Sequence, residues 1–433
     1  MIKIERTVNR LKRFLRSAQT PANYRTTERA FTRRRKLPFE FLVVMILRGR
    51  PYAAQTALNR FYTQMDMLDN LISAGGYHQA RTKLKPEIFI ALLQLLNEGF
   101  YQSDPDDPGT LWRGRRLLGF DPTVINVPDT PETRAAYSIQ VNQHGQQVQA
   151  YSGVLYDLLN EITIAASLGK RCSGKQMLLE HQDAIAVNDV VVCDREFGDY
   201  GLLAWLTEHQ RDYIVRLQSN SFLSAKAFAQ AEEQEAMVDV EVTRKQRAFV
   251  KEHQLPEQIR VRLVKVPLCT GESEVLATSL LDQTQYSAQD LAEAYRLRWE
   301  IESYFARIKN IFAVERFSGG SVQFIEQDFY GTMFLSSLES MLIAPTQTHL
   351  QQQQDPRRHP KKVNRMVSYS ALVDQAIAIL LLPEDTSAQT IEKLERLFQS
   401  KPTSVRPNRN NKRTHRSLSH KNRALKYKKR PPA

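Results

Sequence analysis

Cysteine is scarce: Cys172, Cys193 and Cys269 are the only three among 433 residues, and no two form a CxxC pair. An odd count without pairing motifs argues against a disulfide framework. A zinc site from Cys172, His181 and Cys193 would lack standard ligand spacing, so buried, reduced thiols in a cytosolic protein are the plainer reading. Long apolar runs are missing too. The best of them, FLVVMIL at 41–47, is core-sized and well short of the roughly 20 residues of a membrane span. Since no apolar stretch follows the N-terminal charges, the sequence predicts no secretory leader and a cytoplasmic protein. Acid is absent from one whole region: residues 401–433 hold twelve Lys and Arg and neither Asp nor Glu.

That absence exposes how unevenly charge is placed. The chain carries +13 overall, with +10 in residues 1–36 and +12 in residues 401–433, which leaves −9 for everything between. A mildly acidic body with basic ends suits a protein that grips a polyanion with its extremities, although basic ends also serve merely to solubilise.

The chain divides into three stretches. Residues 1–105 read as a helical domain with a DNA-binding role: a basic amphipathic segment VNRLKRFLRSA, then Arg33 to Lys36, then a buried helix LPFEFLVVMILRG that stops at glycine. Within LDNLISAGGYHQARTKLKPEIF, a helix, a Gly75-Gly76 turn, a short helix and a Pro86-started helix are predicted. Arg81, Lys83 and Lys85 would then lie on DNA as part of a helix-turn-helix, or belong to an ordinary helical hairpin. DPDDPG at 104–109 is a linker. Residues 112–345 read as an α/β catalytic domain with adjacent strands, then strand–helix alternation, and a β-rich insertion at about 219–272 without strong helix signals. Residues 346–433 are a glutamine-rich linker, two helices at about 368–382 and 387–399, and a basic tail.

Inside 112–345 one stretch concentrates chemistry. SAQDLAEAYRLRWEIESYFARIKNIF, 287–312, predicts one long helix. Tyr295, Arg298, Glu302 and Lys309 sit at offsets 0, 3, 7 and 14, inside an arc of roughly 60°. Leu297, Ile301, Phe305, Ile308 and Phe312 form an apolar stripe toward a core, and Trp299 is expected to pack there as well. A solvated charged face would read similarly. Two further acids support a site. Asp194 ends the strand VVVCD and Asp121 ends the strand RRLLGFD. Carboxylates at strand ends gather at one sheet edge, where a helical Glu completes a set suited to hard divalent cations. Asp129, in VPDTPE, is the rival for the first position, with a turn and cap role as its simpler explanation.

The segments GFDPT, VPDTPETRAA, VVCDREFGDYGLL and YRLRWEIESYFARIK together resemble the DDE transposases of bacterial insertion sequences. Closer still is the insertion-sequence 4 family, defined by its Tyr-Arg-Glu-Lys helix. The likeness runs from the basic segment near residue 33 to the helix after the signature. It implies an RNase H-like catalytic core interrupted by a β insertion before its last acid, and cut-and-paste movement of DNA. Asp121, Asp194 and Glu302 would bind two Mg²⁺ ions, or Mn²⁺ in their place. Tyr295, Arg298 and Lys309 would contact DNA beside the scissile phosphate. The partners implied are terminal inverted repeats, target DNA and a second copy of the chain, as a homodimer on paired ends. Pro122 departs from the family pattern, in which Gly and then Thr or Ser follow the first acid. Some relatives stack a flipped base on a tryptophan of the insertion; this insertion has none, which leaves Phe222, Phe228 or Phe249 for that role. A catalytically inactive DNA-binding derivative and a nuclease that cuts without joining are the competing readings.

Overall fold

A computed structural model of the chain describes residues 2–33, 35–49, 52–102, 109–142, 145–218, 221–267, 273–353 and 359–405. Arg34, the linker residues 104–108, Cys269 and the tail beyond 405 lie outside them.

In chain order the elements are α1 (Ile2–Arg16), α2 (Gln19–Asn23), α3 (Phe39–Leu47), α4 (Ala54–Gln64), α5 (Ala74–Arg81) and α6 (Glu87–Gln102). Next come β1 (Leu117–Asn126), α7 (Pro131–Ala136), β2 (Ser138–Asn142), β3 (Gly145–Asp157), β4 (Ile162–Ala166), α8 (Gly174–Leu179), β5 (Val190–Cys193), α9 (Tyr200–Glu208) and β6 (Asp212–Arg216). Then follow α10 (Leu223–Gln230), β7 (Glu235–Glu241), α11 (Arg247–Glu252), β8 (Gln258–Pro267), β9 (Ser273–Thr278), α12 (Ala288–Arg296) and α13 (Trp299–Asn310). The chain closes with α14 (Val322–Gln352), β10 (Lys361–Lys362), α15 (Arg365–Leu380), α16 (Ser387–Gln399) and β11 (Thr403–Ser404). These elements make a mixed α/β protein with a central mixed sheet. Two compact units divide it: Met1–Pro108, Val124–Ala150 and Ala306–Ala433 form one, Gly109–Thr123 and Tyr151–Phe305 the other.

The first unit is mainly helical. Its longest helix, α14, buries most of its middle third, and α6 and α1 pack in the same unit. Helix α6 approaches α1 closely at Gly99, where a Cβ would come within 2.6 Å of Thr7 Cγ2. Charged groups are also buried here. Lys12 donates to Ser387 Oγ at 2.7 Å and to the Pro383 carbonyl at 3.0 Å. Arg81, fully buried, donates to Gln327 Oε1 and Asp328 Oδ1, both at 2.9 Å, and to Ser318 Oγ. Arg81 is therefore a structural cation and no part of a DNA-facing surface. Gly75 and Gly76 form no turn: Ser73 caps α5, accepting from the Gly76 N–H at 3.1 Å, and both glycines lie in the first helical turn. A capping hydroxyl outweighs glycine's helix cost in a turn whose N–H groups need partners.

The second unit holds the sheet run β4-β3-β1-β5-β6-β9-β8-β7. Strand β5 pairs in parallel with β1 and β6, while β6, β9, β8 and β7 pair antiparallel. Residues 221–267 are thus less purely β than their composition suggests. They contain α10 and α11 between strands, and β8 continues the main sheet alongside β9. Phe222 and Phe228 are core residues, 5% and 4% exposed, unsuited to stacking a flipped base. Phe249 is half-buried, with Lys175 Nζ 3.4 Å from its ring centre and His253 stacked on it. Of the two described thiols, Cys193 is fully buried in β5 and Cys172 half-buried.

Helix propensity at Gly99 favours alanine by about 1 kcal/mol, whereas overpacking against a stiff, buried Thr7 costs about 1–3 kcal/mol. Gly99→Ala should therefore lower stability in urea unfolding, and adding Thr7→Ala should recover most of the loss. A stabilised Gly99→Ala single variant would contradict the close packing.

Candidate active site

Strand β5, with all four residues buried, is the central ladder of the second unit. Asp194 follows it directly and caps the short 3₁₀ turn Arg195–Phe197, its Oδ1 accepting from the Glu196 N–H at 2.9 Å. The Phe197 ring then meets Phe120 edge-to-face at 5.6 Å between centres. Phe120 immediately precedes Asp121, so one aromatic contact ties the turn after the second acid to the strand bearing the first.

Asp121 does not end its strand. β1 runs on through Pro122 to Asn126 as a single strand. Its ladder with β5 stops at Gly119, so the N–H that Pro122 lacks costs no hydrogen bond on that side.

The predicted 26-residue helix is two helices, α12 and α13, broken at Leu297–Arg298. Here the bonding tightens from i−4 to i−3: Arg298 N–H to the Tyr295 carbonyl (3.0 Å), Glu300 to Leu297 (2.9 Å), Ile301 to Arg298 (3.1 Å). Neither Gly nor Pro marks the break, so helix stop signals could not reveal it. The arc calculated for one continuous helix consequently does not hold across it. Ile301, Phe305, Ile308 and Phe312 are buried as expected, while Leu297, at the break, is only half-buried. Trp299 is the clear exception to core packing: 51% exposed, with the Arg298 guanidinium 5.6 Å from its ring. The tightened turn directs it outward.

Glu302 sits on the first turn of α13. Tyr304, two residues on, is buried, stacks on Tyr156 at 4.3 Å and shares a 2.7 Å hydrogen bond with the Thr163 hydroxyl, fixing this helix to β3 and β4. Arg298 Nη2 donates to Glu302 Oε1 at 3.0 Å. Tyr295 is buried, and burial pushes its hydroxyl up to about 12. Lys309 Nζ donates to the Val124 carbonyl at 2.7 Å, holding the last signature residue by the strand that carries Asp121. Asp129 is exposed and bound through both oxygens to Arg134, at 2.6 and 2.9 Å, which explains it without a role beside the other acids.

Electrostatics gather the three acids. Burial, then the Asp194 carboxylate, push the Asp121 carboxyl up to about 7; Arg298 opposes this, and Glu302 and Glu196 add to it. Glu196 was missed in the sequence, although the Asp-Arg-Glu run after a buried strand was its visible signal. For Arg298, burial works against the charge, and Tyr295, Glu302 and Asp121 outweigh it, raising its pKa. Among the described residues no three His, Cys, Asp or Glu side chains are gathered as a ready metal cluster. Glu302 is engaged by Arg298. The donors nonetheless fit a hard divalent cation in kind and charge: a carboxyl that burial and neighbouring carboxylates make keep its proton is one that a cation would stabilise as the anion.

Acids on adjacent parallel strands and on a following helix characterise a class of enzymes acting on phosphodiesters. Residues 112–338 match the family model of the transposase DDE domain, and the chain belongs to that family of polynucleotidyl transferases and nucleases, which work with divalent metal ions. It falls in the insertion-sequence 4 group: it is 25% identical over 341 residues to Transposase InsG for insertion sequence element IS4 of Escherichia coli (strain K12), across 73% of this chain and 72% of that protein. The chain is thus a transposase of an insertion sequence. A piggyBac transposase synaptic complex with hairpin DNA, 8% identical, aligns over 96% of this chain and 87% of that one with a TM-score of 0.43.

Because Asp121 holds its proton up to about pH 7, a cation bound to it must displace that proton at lower pH. Calorimetric Mg²⁺ or Mn²⁺ affinity should therefore rise between pH 5 and pH 7 and level off above. Asp121→Asn should abolish both the pH dependence and most of the affinity. Equal affinity across that range in the wild type would remove Asp121 from the cation site.

Proposed function

We propose that Asp121, Asp194 and Glu302 form the catalytic triad of a DNA transposase. It would cleave phosphodiesters at the element's terminal inverted repeats and join the freed ends to target DNA. The observation that carries this reading is the convergence on Asp121, whose pKa is raised by burial, then by the Asp194 carboxylate and further by Glu302, against the opposing charge of Arg298. Two Mg²⁺ ions, or Mn²⁺, held by these acids would make water and a sugar hydroxyl better nucleophiles and stabilise the leaving oxygen. The residues around them orient and neutralise. Arg298, which donates to Glu302, would offer its guanidinium to a phosphate oxygen. Tyr295 keeps its proton throughout the neutral range and can donate to the DNA backbone. Lys309 supplies a second positive charge. Trp299, exposed beside Arg298, offers an apolar face to a sugar or base.

An RNase H-like core in β4-β3-β1-β5-β6 is part of the same proposal. The Leu158 N–H meets the Leu117 carbonyl while the Val127 N–H meets the Val148 carbonyl, so β1 and β3 run antiparallel before the parallel β1-β5-β6 run. Recognition of the ends is assigned to residues 1–105 and the basic tail, catalysis to 112–345, and joining of two ends to a homodimer on DNA. No helix among the described residues is long and apolar enough to cross a membrane.

The test is cleavage and joining on a duplex carrying the element's own end, with and without Mg²⁺. Glu302→Gln should abolish both products while end binding stays within about threefold. Binding lost in step with cleavage would make Glu302 structural. Cutting without joining by the wild type would leave a nuclease, and tight binding without cutting an inactive derivative. Deleting 401–433 should flatten the salt dependence of DNA binding, by about 0.9 in log–log slope for each phosphate that the tail neutralises; an unchanged slope would make the tail a bystander.

A further inference from the structure

Within the first unit a cavity of about 540 Å³ opens between the C-terminal end of α3, α4, α5, the segment after α13, and helices α14 and α15. That volume suits a small organic ligand. Val314, Leu335 and Tyr369 give it an apolar floor, while Arg48, Arg60 and Arg316 line it with positive charge. Two carboxylates also line it, but Asp328 is already taken by Arg81 at 2.9 Å and by the Ser318 N–H at 2.6 Å. The other, Asp374, acts on Arg48. Among the described residues no carboxylate pairs with Arg60 or Arg316. The cavity is therefore over-supplied with cations. Arg48 reflects this: burial lowers its pKa, Asp374 offsets that, and the Arg60 charge lowers it further.

The arrangement of Arg60 says more about the ligand than charge does. Its guanidinium lies 3.7 Å from the centre of the Tyr52 ring, so Tyr52 backs a flat cationic plate at the cavity. Guanidinium planes stack on flat aromatic rings, whereas a fatty chain gains nothing from their charge and a bare anion gains nothing from their stacking face.

We propose that this cavity binds a nucleoside phosphate, its base stacked on the Arg60–Tyr52 pair and its phosphate on Arg48 and Arg316. This is a second nucleotide site, separate from the triad, and it does not depend on the triad being catalytic. Such a ligand has two sources: a free nucleotide, or an unpaired unit of bound DNA.

Calorimetry on the full chain with dAMP, inorganic phosphate and a six-nucleotide single strand distinguishes them. The protein would carry Glu302→Gln, so that cleavage plays no part. We expect saturable binding of dAMP or of the strand, at least tenfold tighter than inorganic phosphate. Tyr52→Ala, Arg60→Ala and Arg316→Glu should each weaken it about tenfold or more. Arg60 and Arg316 are exposed, so their variants should keep the wild-type melting midpoint. With the strand, Arg316→Glu should also reduce the log–log salt slope by about 0.7. Binding of dAMP supports a free nucleotide; binding of the strand alone, still sensitive to these substitutions, supports a unit of DNA. The proposal is overturned if neither nucleotide probe binds, if phosphate binds as tightly as dAMP, or if the substitutions at Arg60 and Arg316 change nothing.

Discussion

Like charges held close together in a partly buried place repel, and the second unit is organised around holding them there. Burial, the Asp194 carboxylate and, more weakly, Glu302 and Glu196 all act on Asp121, which keeps its proton to about pH 7. Nothing local to any one acid would enforce this. The Phe120–Phe197 contact fixes the turn after β5 to strand β1. Tyr304, clamped by Tyr156 and Thr163, fixes the helix that bears Glu302. Apolar and aromatic packing, each contact modest alone, supplies the rigidity, and the Arg298–Glu302 pair sets a cation in direct contact with one acid of the set.

The helical unit shows the opposite use of charge. Several cations in a strongly basic sequence are consumed inside it. Lys12 is buried against Ser387 and the Pro383 carbonyl, and burial lowers its pKa to about 8. Arg81 is saturated by Gln327, Ser318 and Asp328, and Arg365 pairs with the fully buried Glu339 at 2.9 Å. Removing one partner from such a set leaves a charge buried without compensation, which is costly. Counting Lys and Arg therefore overstates the charge this unit offers to a polyanion. The cations of the α3–α15 cavity differ in that Arg60 and Arg316 are exposed.

Much of the site could be read from residues alone, for identifiable reasons. β5 is a short, wholly apolar run bounded by acids, so its existence and the position of Asp194 at its end follow from hydropathy. Serine side chains cap α5, α8 and α12, a local start signal. Other features were hidden because their causes are not local. The break at Leu297–Arg298 has no Gly or Pro and arises from a shift in hydrogen-bond partners. Asp121 lies mid-strand since β1 outruns its ladder with β5, something only pairing register can show. Helices α10 and α11 are short, eight and six residues, below the length at which periodicity separates helix from strand.

The sequence by itself determined the residue types, their spacing, the segregation of charge to the ends and the family likeness, because these depend only on order along the chain. Tertiary structure decided which charges act outward and which are spent inside, as with Arg81. It turned Trp299 out to solvent and Phe222 and Phe228 in, and it set Asp121 beside Asp194. Burial and electrostatic fields are properties of what lies near in space. Strand pairing and helix packing bring together residues far apart in sequence, 181 positions for Asp121 and Glu302 and 375 for Lys12 and Ser387, and no reading along the chain contains that proximity.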